Sequence, residues 1–293
     1  MSPFSAGDLR DLSGRRVIIT GANSGIGRAA AQALAAAGAR VTLAVRDPAK
    51  GRVAAAAMSG PPEVRQLDLA SLASVREFAA GWEGEIDVLI NNAGVMIPPL
   101  TRTPDGFELQ FATNHLGHFA LTNLLVPQIR GRVVTVSSTM HRIGAINFDD
   151  LNWQRRRYQP WQAYGQSKLA NLLFTAELQR RLVAAGSPVL AMAAHPGYAA
   201  THLQSHSRSR FWDVAMARVG NRLFAQSEEA GALPTLYAAV QSIPGNSFVG
   251  PGGFHELRGA PKLVQRSKRA SDPEVAWRLW EVSEQLTGVS WPL

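Results

Sequence analysis

The run Thr20-Gly21-Ala22-Asn23-Ser24-Gly25-Ile26-Gly27 decides how the rest of the chain is read. Val17-Ile18-Ile19 leads into it, and an alanine-rich stretch over 29–37 leads out. The β-branched residues read as a strand, the alanines as a helix, and the glycines between them as a tight turn. Gly21 supplies backbone angles closed to other residues. Gly25 leaves room for a group to approach the backbone, and Gly27 lets the helix pack closely on the strand. The start of that helix offers unpaired N–H groups and a partial positive charge. Strand, glycine turn and helix in this order make a cradle for the pyrophosphate of a dinucleotide, formed by Gly21, Asn23, Ser24, Gly25, Ile26 and Gly27. The spacing, G-x-x-x-G-x-G, differs from the commoner G-x-G-x-x-G.

The same alternation repeats outward from this turn. Apolar and β-branched runs predict strands over 16–20, 40–45, 64–67, 87–90, 132–137, 189–193 and 247–249. Helical stretches fall between them, over 25–37, 50–58, 72–82, 106–129, 164–185, 228–240 and 272–286. Continuous apolar strands separated by helices predict a parallel sheet covered on both faces. With no linker or repeat, the chain reads as one α/β domain over 1–293. The expected fold is a doubly wound, Rossmann-type sheet of about seven strands.

Composition narrows the function classes. The 293 residues hold 46% apolar side chains, which suits a globular core. No apolar run approaches the ~20 residues of a membrane span, and the N-terminus lacks a signal-peptide core. The absence of cysteine excludes disulfides and thiolate chemistry, so a cytoplasmic protein is expected. The net charge of +8 is scattered arginine, with one run at Arg155-Arg156-Arg157, and no nucleic-acid reader motif accompanies it. No nucleic-acid partner is expected.

In such sheets the ligand sits beyond the carboxyl ends of the strands, so residues just after strands carry the chemistry. Arg46 follows the second strand and suits a 2′-phosphate, while Asp47 before Pro48 suits a helix cap. This predicts NADP(H) as the preferred cofactor, with NAD(H) as the alternative. After the third strand, Asp68 and Leu69 suit an adenine edge, although Asp68 could equally cap the next helix. After the fourth, Asn91, Asn92, Ala93 and Gly94 could tie strand ends together and let a flat ring lie on the backbone, or form a plain turn.

Tyr164 and Lys168 lie at i and i+4 on one helix face. A phenol with its ordinary pKa of ~10 is a poor acid–base group at neutral pH, and a nearby ammonium should lower it. Such a Tyr can give a proton to a carbonyl oxygen as hydride arrives, or take one from an alcohol. Ser138, with Ser137 as fallback, is expected to hold the substrate oxygen. Asn114 inside a long helix could bend it, hold a water and relay protons from Lys168. His195-Pro196-Gly197 follows the sixth strand. Pro196 and Gly197 form a turn that could seat the nicotinamide, with Thr201 bonding its carboxamide or a phosphate, and His195 reads as a packed residue. His202 and His206 lack further ligands, so no metal is expected. The stretch 205–226 reads as a substrate lid whose Phe211, Trp212, Met216, Leu223 and Phe224 either suggest a lipophilic substrate or simply pack an amphipathic helix on the core, and whose Arg208 and Arg210 could instead meet an acidic group.

Taken together these motifs resemble the short-chain dehydrogenase/reductase family over about residues 16–200. Val45-Arg46-Asp47, Asn114-His115-Leu116-Gly117-His118-Phe119, Ser167-Lys168-Leu169-Ala170-Asn171 and His195-Pro196-Gly197 are most similar to its retinol dehydrogenase and WW-domain oxidoreductase-like branch. The resemblance implies a catalytic tetrad of Asn114, Ser138, Tyr164 and Lys168, with Lys168 also bonding the nicotinamide ribose. It implies that the insertion between Ser138 and Tyr164, with Trp153, Arg155-Arg156-Arg157 and Trp161, rims the site. Relatives often pair through the helices expected here over 106–129 and 164–185, so a homo-oligomer is admitted. The expected activity is hydride transfer between NADP(H) and a small-molecule carbonyl or alcohol substrate. The alternative is a catalytically silent NADP(H)-binding sensor or scaffold.

Overall fold

The computed structural model describes residues 3–197 and 226–293. Its centre is one sheet in the order β3-β2-β1-β4-β5-β6-β7-β8. The strands are β1 (Arg16–Thr20), β2 (Arg40–Val45), β3 (Glu63–Gln66), β4 (Ile86–Asn91), β5 (Ile129–Val136), β6 (Leu190–Ala194), β7 (Phe248–Pro251) and β8 (Pro261–Leu263). The first seven run parallel, as the alternation predicts, and β8 pairs antiparallel with β7. A short strand containing a proline and a lysine carries no apolar signature, so β8 is recognisable only by its pairing on the sheet edge.

The central strands β1, β2, β4 and β6 are largely apolar because both faces of the sheet are covered. Val17 and Ile19 point into the cluster beneath helices α1 (Gly25–Ala36) and α2 (Pro48–Ala56) and the helix Glu228–Val240. Ile18, between them, points into the opposite cluster beneath α3 (Leu72–Ala80) and the helices Gly117–Leu125 and Pro160–Ala184. Helix starts follow capping chemistry. Asp47 accepts from the N–H groups of Ala49 and Lys50, with Pro48 in the first turn of α2. Ser71 caps α3 and Asp272 caps the C-terminal helix.

The helix expected over 106–129 is not continuous. Gly106 sits at φ +84 in a turn, and Glu108 caps the short helix α4 (Leu109–Phe111) with its carboxylate. A π-turn over Ala112–Leu116 follows, and then α5 (Gly117–Leu125). Val126–Gln128 tightens into a 3₁₀ turn at Pro127, and Ile129 already belongs to β5. Helix α6 (Pro160–Ala184) starts one turn earlier than expected, with proline in its first turn. Helices α7 (Glu228–Val240) and α8 (Pro273–Thr287) complete the described set.

Helix α8 lies on α6 and α5, the two helices named above as pairing surfaces. Trp280 is 1% exposed there, stacked on Phe174 (centroids 5.7 Å apart) and edge-on to Phe119 (4.9 Å). Among the described residues no helix is long and apolar enough to cross a membrane.

Candidate active site

Strand order reverses between β1 and β4, and a crevice opens beyond their carboxyl ends. One lip is the glycine turn. Gly21 and Gly25 both have positive φ, +67 and +59, which is the physical demand for glycine there. A Cβ on Gly21 would stand 2.9 Å from the Cβ of Ala93, and one on Gly27 would collide with Asn92 Nδ2. Ser24, the residue before α1, makes no side-chain cap. The start of α1 therefore keeps its amide donors for another partner.

The other lip is Asn91–Gly94, and Thr20 ties the two together. The Thr20 hydroxyl oxygen accepts from the N–H groups of Asn92 and Ala93, both at 2.9 Å. Asn92 Nδ2 donates to Thr20 O at 2.8 Å, and Asn91 Nδ2 donates to Thr122 Oγ1 at 2.9 Å. Asn92 thus ties the end of β4 to β1, and Asn91 ties it to the helix Gly117–Leu125. A Cβ on Gly94 would lie 3.2 Å from Asn114 Oδ1 and 3.4 Å from Lys168 Nζ, so only glycine leaves the surface flat beside these two groups.

Arg46 is exposed directly after β2. Asp68 is not the cap of α3, because Ser71 holds that position. Asp68 Oδ1 instead closes a local turn with the Ala70 N–H at 2.9 Å, and its own N–H donates to Ser74 Oγ. Leu69 is buried, with its carbonyl against Gly117.

Tyr164 and Lys168 come to the end of β5 on the inner face of α6. Both are buried, and Lys168 Nζ lies 5.7 Å from the centre of the Tyr164 ring. Lys168 is held at both ends: Nζ donates to Val136 O at 3.1 Å, and Ser137 Oγ donates to the Lys168 carbonyl at 2.7 Å. Ser137 is therefore committed to the helix. Ser138, half-buried, is the hydroxyl that reaches the Tyr164 phenol, and its Oγ also accepts from the Met140 N–H.

The expected lowering of the Tyr164 pKa is not found. Burial pushes the phenol up to about 12, opposed only by its hydrogen bond with Ser138, and burial pushes Lys168 down to about 8. Desolvation dominates both groups and favours both neutral forms. Tyr164 therefore holds its proton firmly near neutral pH. It remains a stronger acid than an alcohol whose alkoxide resembles hydroxide, water standing at ~15.7. Proton donation to a newly formed alkoxide is downhill from this phenol.

Asn114 occupies the π-turn, a bulge that recurs at functional sites. Its side chain is fully used. Nδ2 donates to Val95 O at 3.0 Å and to Ser167 Oγ at 2.9 Å, while Oδ1 accepts from the Val95 N–H at 2.8 Å. Ser167 Oγ in turn donates to the Tyr164 carbonyl at 2.8 Å. Asn114 thus braces the lip after β4 against the helix that carries Tyr164.

After β6, His195 is buried and hydrogen-bonded to Glu256 at 3.0 Å, with the Gly197 N–H donating to its Nδ1. Burial lowers its pKa to about 3, so it is a neutral packed residue. Pro196 and Gly197 are half-buried at the crevice, and Gly197 has φ +72. Thr201, His202, His206 and all of the lid stretch except Gln226 lie outside the described residues. Among the described residues no cluster of His, Asp and Glu is arranged for a metal ion.

The expectation that Trp153 rims the site is corrected. Trp153 is 3% exposed, with Arg156 stacked over it at 3.5 Å, because Asp150 accepts from three successive backbone N–H groups and folds that loop inward. Trp161 is exposed at the start of α6. Three residues that matter here were not singled out from their own properties: Val136, whose carbonyl anchors Lys168, Ser167 and His118. A backbone carbonyl leaves no trace in sequence, whereas His118 stands four residues after Asn114 and could have been found by that spacing.

Comparison with known proteins agrees with this fold. A family model described as short chain dehydrogenase matches residues 15–211. Retinol dehydrogenase 13 of Homo sapiens is 44% identical, aligned over 96% of this chain and 87% of that protein. A probable oxidoreductase of Streptomyces antibioticus is 40% identical over 92% of this chain and 97% of that one. The crystal structure of an uncharacterized protein from Mycobacterium paratuberculosis is 54% identical, covers the whole of both chains and has a TM-score of 0.88.

Proposed function

The chain belongs to the short-chain dehydrogenase/reductase family, and on that premise we propose that it transfers a hydride between NADP(H) and a small-molecule carbonyl or alcohol. The observation that carries this reading is the Tyr164 phenol, buried and protonated, hydrogen-bonded to Ser138 and one helical turn from Lys168 beside the switch-point crevice.

The residues present suit a dinucleotide. The uncapped start of α1, with Gly21, Asn23, Ser24, Gly25, Ile26 and Gly27, would hold the pyrophosphate. Asp68 and the Leu69 backbone would meet the adenine. Asn92, Ala93, Gly94, Pro196 and Gly197 would bound the nicotinamide ribonucleoside, with Lys168 beside its ribose. When bound, the nicotinamide supplies or accepts the hydride.

This chain's own side chains handle the proton. Ser138 donates a hydrogen bond to the carbonyl oxygen and aligns it with Tyr164. The phenol gives up its proton as negative charge grows on that oxygen. Lys168, fixed by Val136 O and by Ser137, stabilises the resulting phenolate. Reduction is favoured at neutral pH because Tyr164 rests protonated, and alcohol oxidation gains as pH rises.

Arg46 carries the preference for NADP(H), since an exposed guanidinium at the end of β2 pairs with a 2′-phosphate. The lipophilic character of the substrate rests on the aromatic and methionine content of 211–224. The test is oxidation of NADPH and NADH with a panel of aldehydes and ketones, run with the native protein, Tyr164→Phe and Arg46→Asp. NADPH-dependent turnover lost in Tyr164→Phe, and a preference moved toward NADH in Arg46→Asp, are expected. Tight NADPH binding with no turnover on any member would instead favour the silent sensor. An unchanged ratio of the two cofactor affinities in Arg46→Asp would overturn the Arg46 assignment.

A further inference from the structure

Helix α5 and the π-turn before it present Asn114, His118 and Thr122 at i, i+4 and i+8 on a single stripe. All three are buried, at 0%, 1% and 0% exposure. Asn114 binds Val95 and Ser167, and Thr122 binds Asn91. His118 stands between them and touches both halves of the site. Its Nε2 lies 2.9 Å from Thr20 Oγ1, and its Nδ1 lies 3.1 Å from the Asn114 carbonyl oxygen.

The proton positions follow from counting donors. Thr20 Oγ1 already accepts from the Asn92 and Ala93 N–H groups, which occupies both lone pairs. Its one remaining function is to donate, to His118 Nε2 at 2.9 Å or to Ile90 O at 3.4 Å. The nearer and better partner is the imidazole, so Nε2 accepts. The Asn114 carbonyl can only accept, so Nδ1 must carry the hydrogen. One neutral tautomer satisfies every contact, and an imidazolium would leave Nε2–H facing an oxygen with no free lone pair.

The charged and titratable groups around it agree with neutrality. Lys168 on α6 acts on His118 electrostatically, as His118 does on His115, and burial lowers its pKa to about 4.

We propose that His118 is a positioning residue, a neutral Nδ1–H imidazole that locks the Asn114 turn to the end of β1 and so sets the cofactor lip and the proton-handling residues in fixed register. The inference rests on the hydride-transfer reading of this site. On the Thr20 side, the bond orients the hydroxyl that ties Asn92 and Ala93 to β1. On the Asn114 side, it holds the carbonyl of the residue that braces Val95 and, through Ser167, the turn bearing Tyr164.

The two contacts can be removed separately. The amide nitrogen of asparagine takes the place of Nδ1, and the amide oxygen of glutamine takes the place of Nε2. His118→Asn keeps the bond to Asn114 and loses Thr20. NADPH affinity should fall about tenfold, as expected for one lost buried hydrogen bond, with kcat and its pH profile unchanged. His118→Gln keeps Thr20 and frees the Asn114 carbonyl. It should lower kcat about tenfold and move the pH profile, with NADPH affinity unchanged.

The wild-type protein gives a reading that depends on neither turnover nor a variant's folding. Long-range ¹H–¹⁵N correlation spectra of ¹⁵N-histidine-labelled protein should show His118 as the Nδ1–H tautomer across neutral pH. An Nε2–H tautomer or an imidazolium at pH 7 overturns the proposal, as does equal loss of kcat and affinity in both variants. If the wild type turns over no substrate, the hydride-transfer reading fails. The tautomer and the NADPH affinities then still decide whether His118 locks the two lips.

Discussion

Tyr158 and Tyr164 stand six residues apart, and the fold treats them in opposite ways. Both phenols are desolvated and both pKa values rise, that of Tyr164 to about 12 and that of Tyr158 further still. Tyr158 spends its proton inside the protein: its hydroxyl donates to Glu108 Oε1 at 2.9 Å and accepts from Gln110 Nε2 at 2.8 Å. Glu108 in turn caps Phe111, and Gln110 Oε1 accepts from the Ile97 N–H. This is a closed network that pins the segment around α4. Tyr164 has one neighbouring hydroxyl, Ser138, itself half-buried, and faces the crevice. A raised pKa therefore does not distinguish a structural tyrosine from the proposed proton donor. What distinguishes them is whether an internal carboxylate already claims the proton.

The contrast is sharpest in activity. Tyr164→Phe should lower kcat for carbonyl reduction by about 10²–10⁴ while leaving the thermal midpoint close to wild type. Steady-state kinetics with a melting curve on the same sample checks both halves. A large loss of stability would place Tyr164 with Tyr158.

The next effect concerns Lys168, the charge that separates the two environments. Its pKa falls from 10.5 to about 8 in the folded protein. Below about pH 8 the fold holds an ammonium that the unfolded chain would hydrate, so the native state is penalised. As pH rises through 10.5 the unfolded chain also loses that proton and the penalty vanishes. Lys168→Met should thus be inactive yet more stable than wild type by about 2 kcal/mol at pH 7, after allowing for the lost bond to Val136 O. Denaturant unfolding at pH 7 and pH 10 should show the gain shrinking at the higher pH.

The same shift predicts the pH profile of reduction. Loss of the Lys168 charge should lower kcat/KM about tenfold per pH unit above about pH 8. A profile flat to pH 10 would mean that the ammonium is dispensable for reduction.

Tyr158→Phe should be the mildest change. It removes a donor from a buried carboxylate, costing about 1–2 kcal/mol of stability with kcat retained. Burial raises the Glu108 pKa, so the fold disfavours its ionised form. That contribution is intact below the ordinary value of 4.5 and is lost as pH rises past it. The Tyr158→Phe deficit should run the opposite way over the same range, small in acid, where Glu108 is protonated, and full at neutral pH, where the carboxylate needs the donor. Equal deficits at both pH values would detach Glu108 from Tyr158.

Much of this was legible in advance because the informative residues are local. The Gly21–Gly27 turn demands glycine for its own φ angles, and Asp47-Pro48 announces a helix start. Ser138, Tyr164 and Lys168 declare themselves by position after a strand and by helical spacing. The illegible parts depend on partners distant in sequence. Ser71, not Asp68, caps α3, a choice between two acceptors three residues apart that local spacing leaves open. Trp153 turns inward because Asp150 and Arg156 fold the loop around it. The direction of the Tyr164 shift depends on how completely α6 is buried, which a motif does not encode.

Sequence alone determined the alternation of strands and helices, the glycine turn and the residue types of the proposed tetrad, because backbone angles, apolar periodicity and side-chain chemistry are properties of short windows. Only the tertiary structure decided that α8 covers α5 and α6 with Trp280, that the Asn114 helix opens into a π-turn and that His118 bridges Thr20 and Asn114. It also decided that Tyr158 and not Tyr164 donates its hydrogen bond to Glu108. These are outcomes of burial and of donor counting between distant segments, and neither exists until the chain has folded.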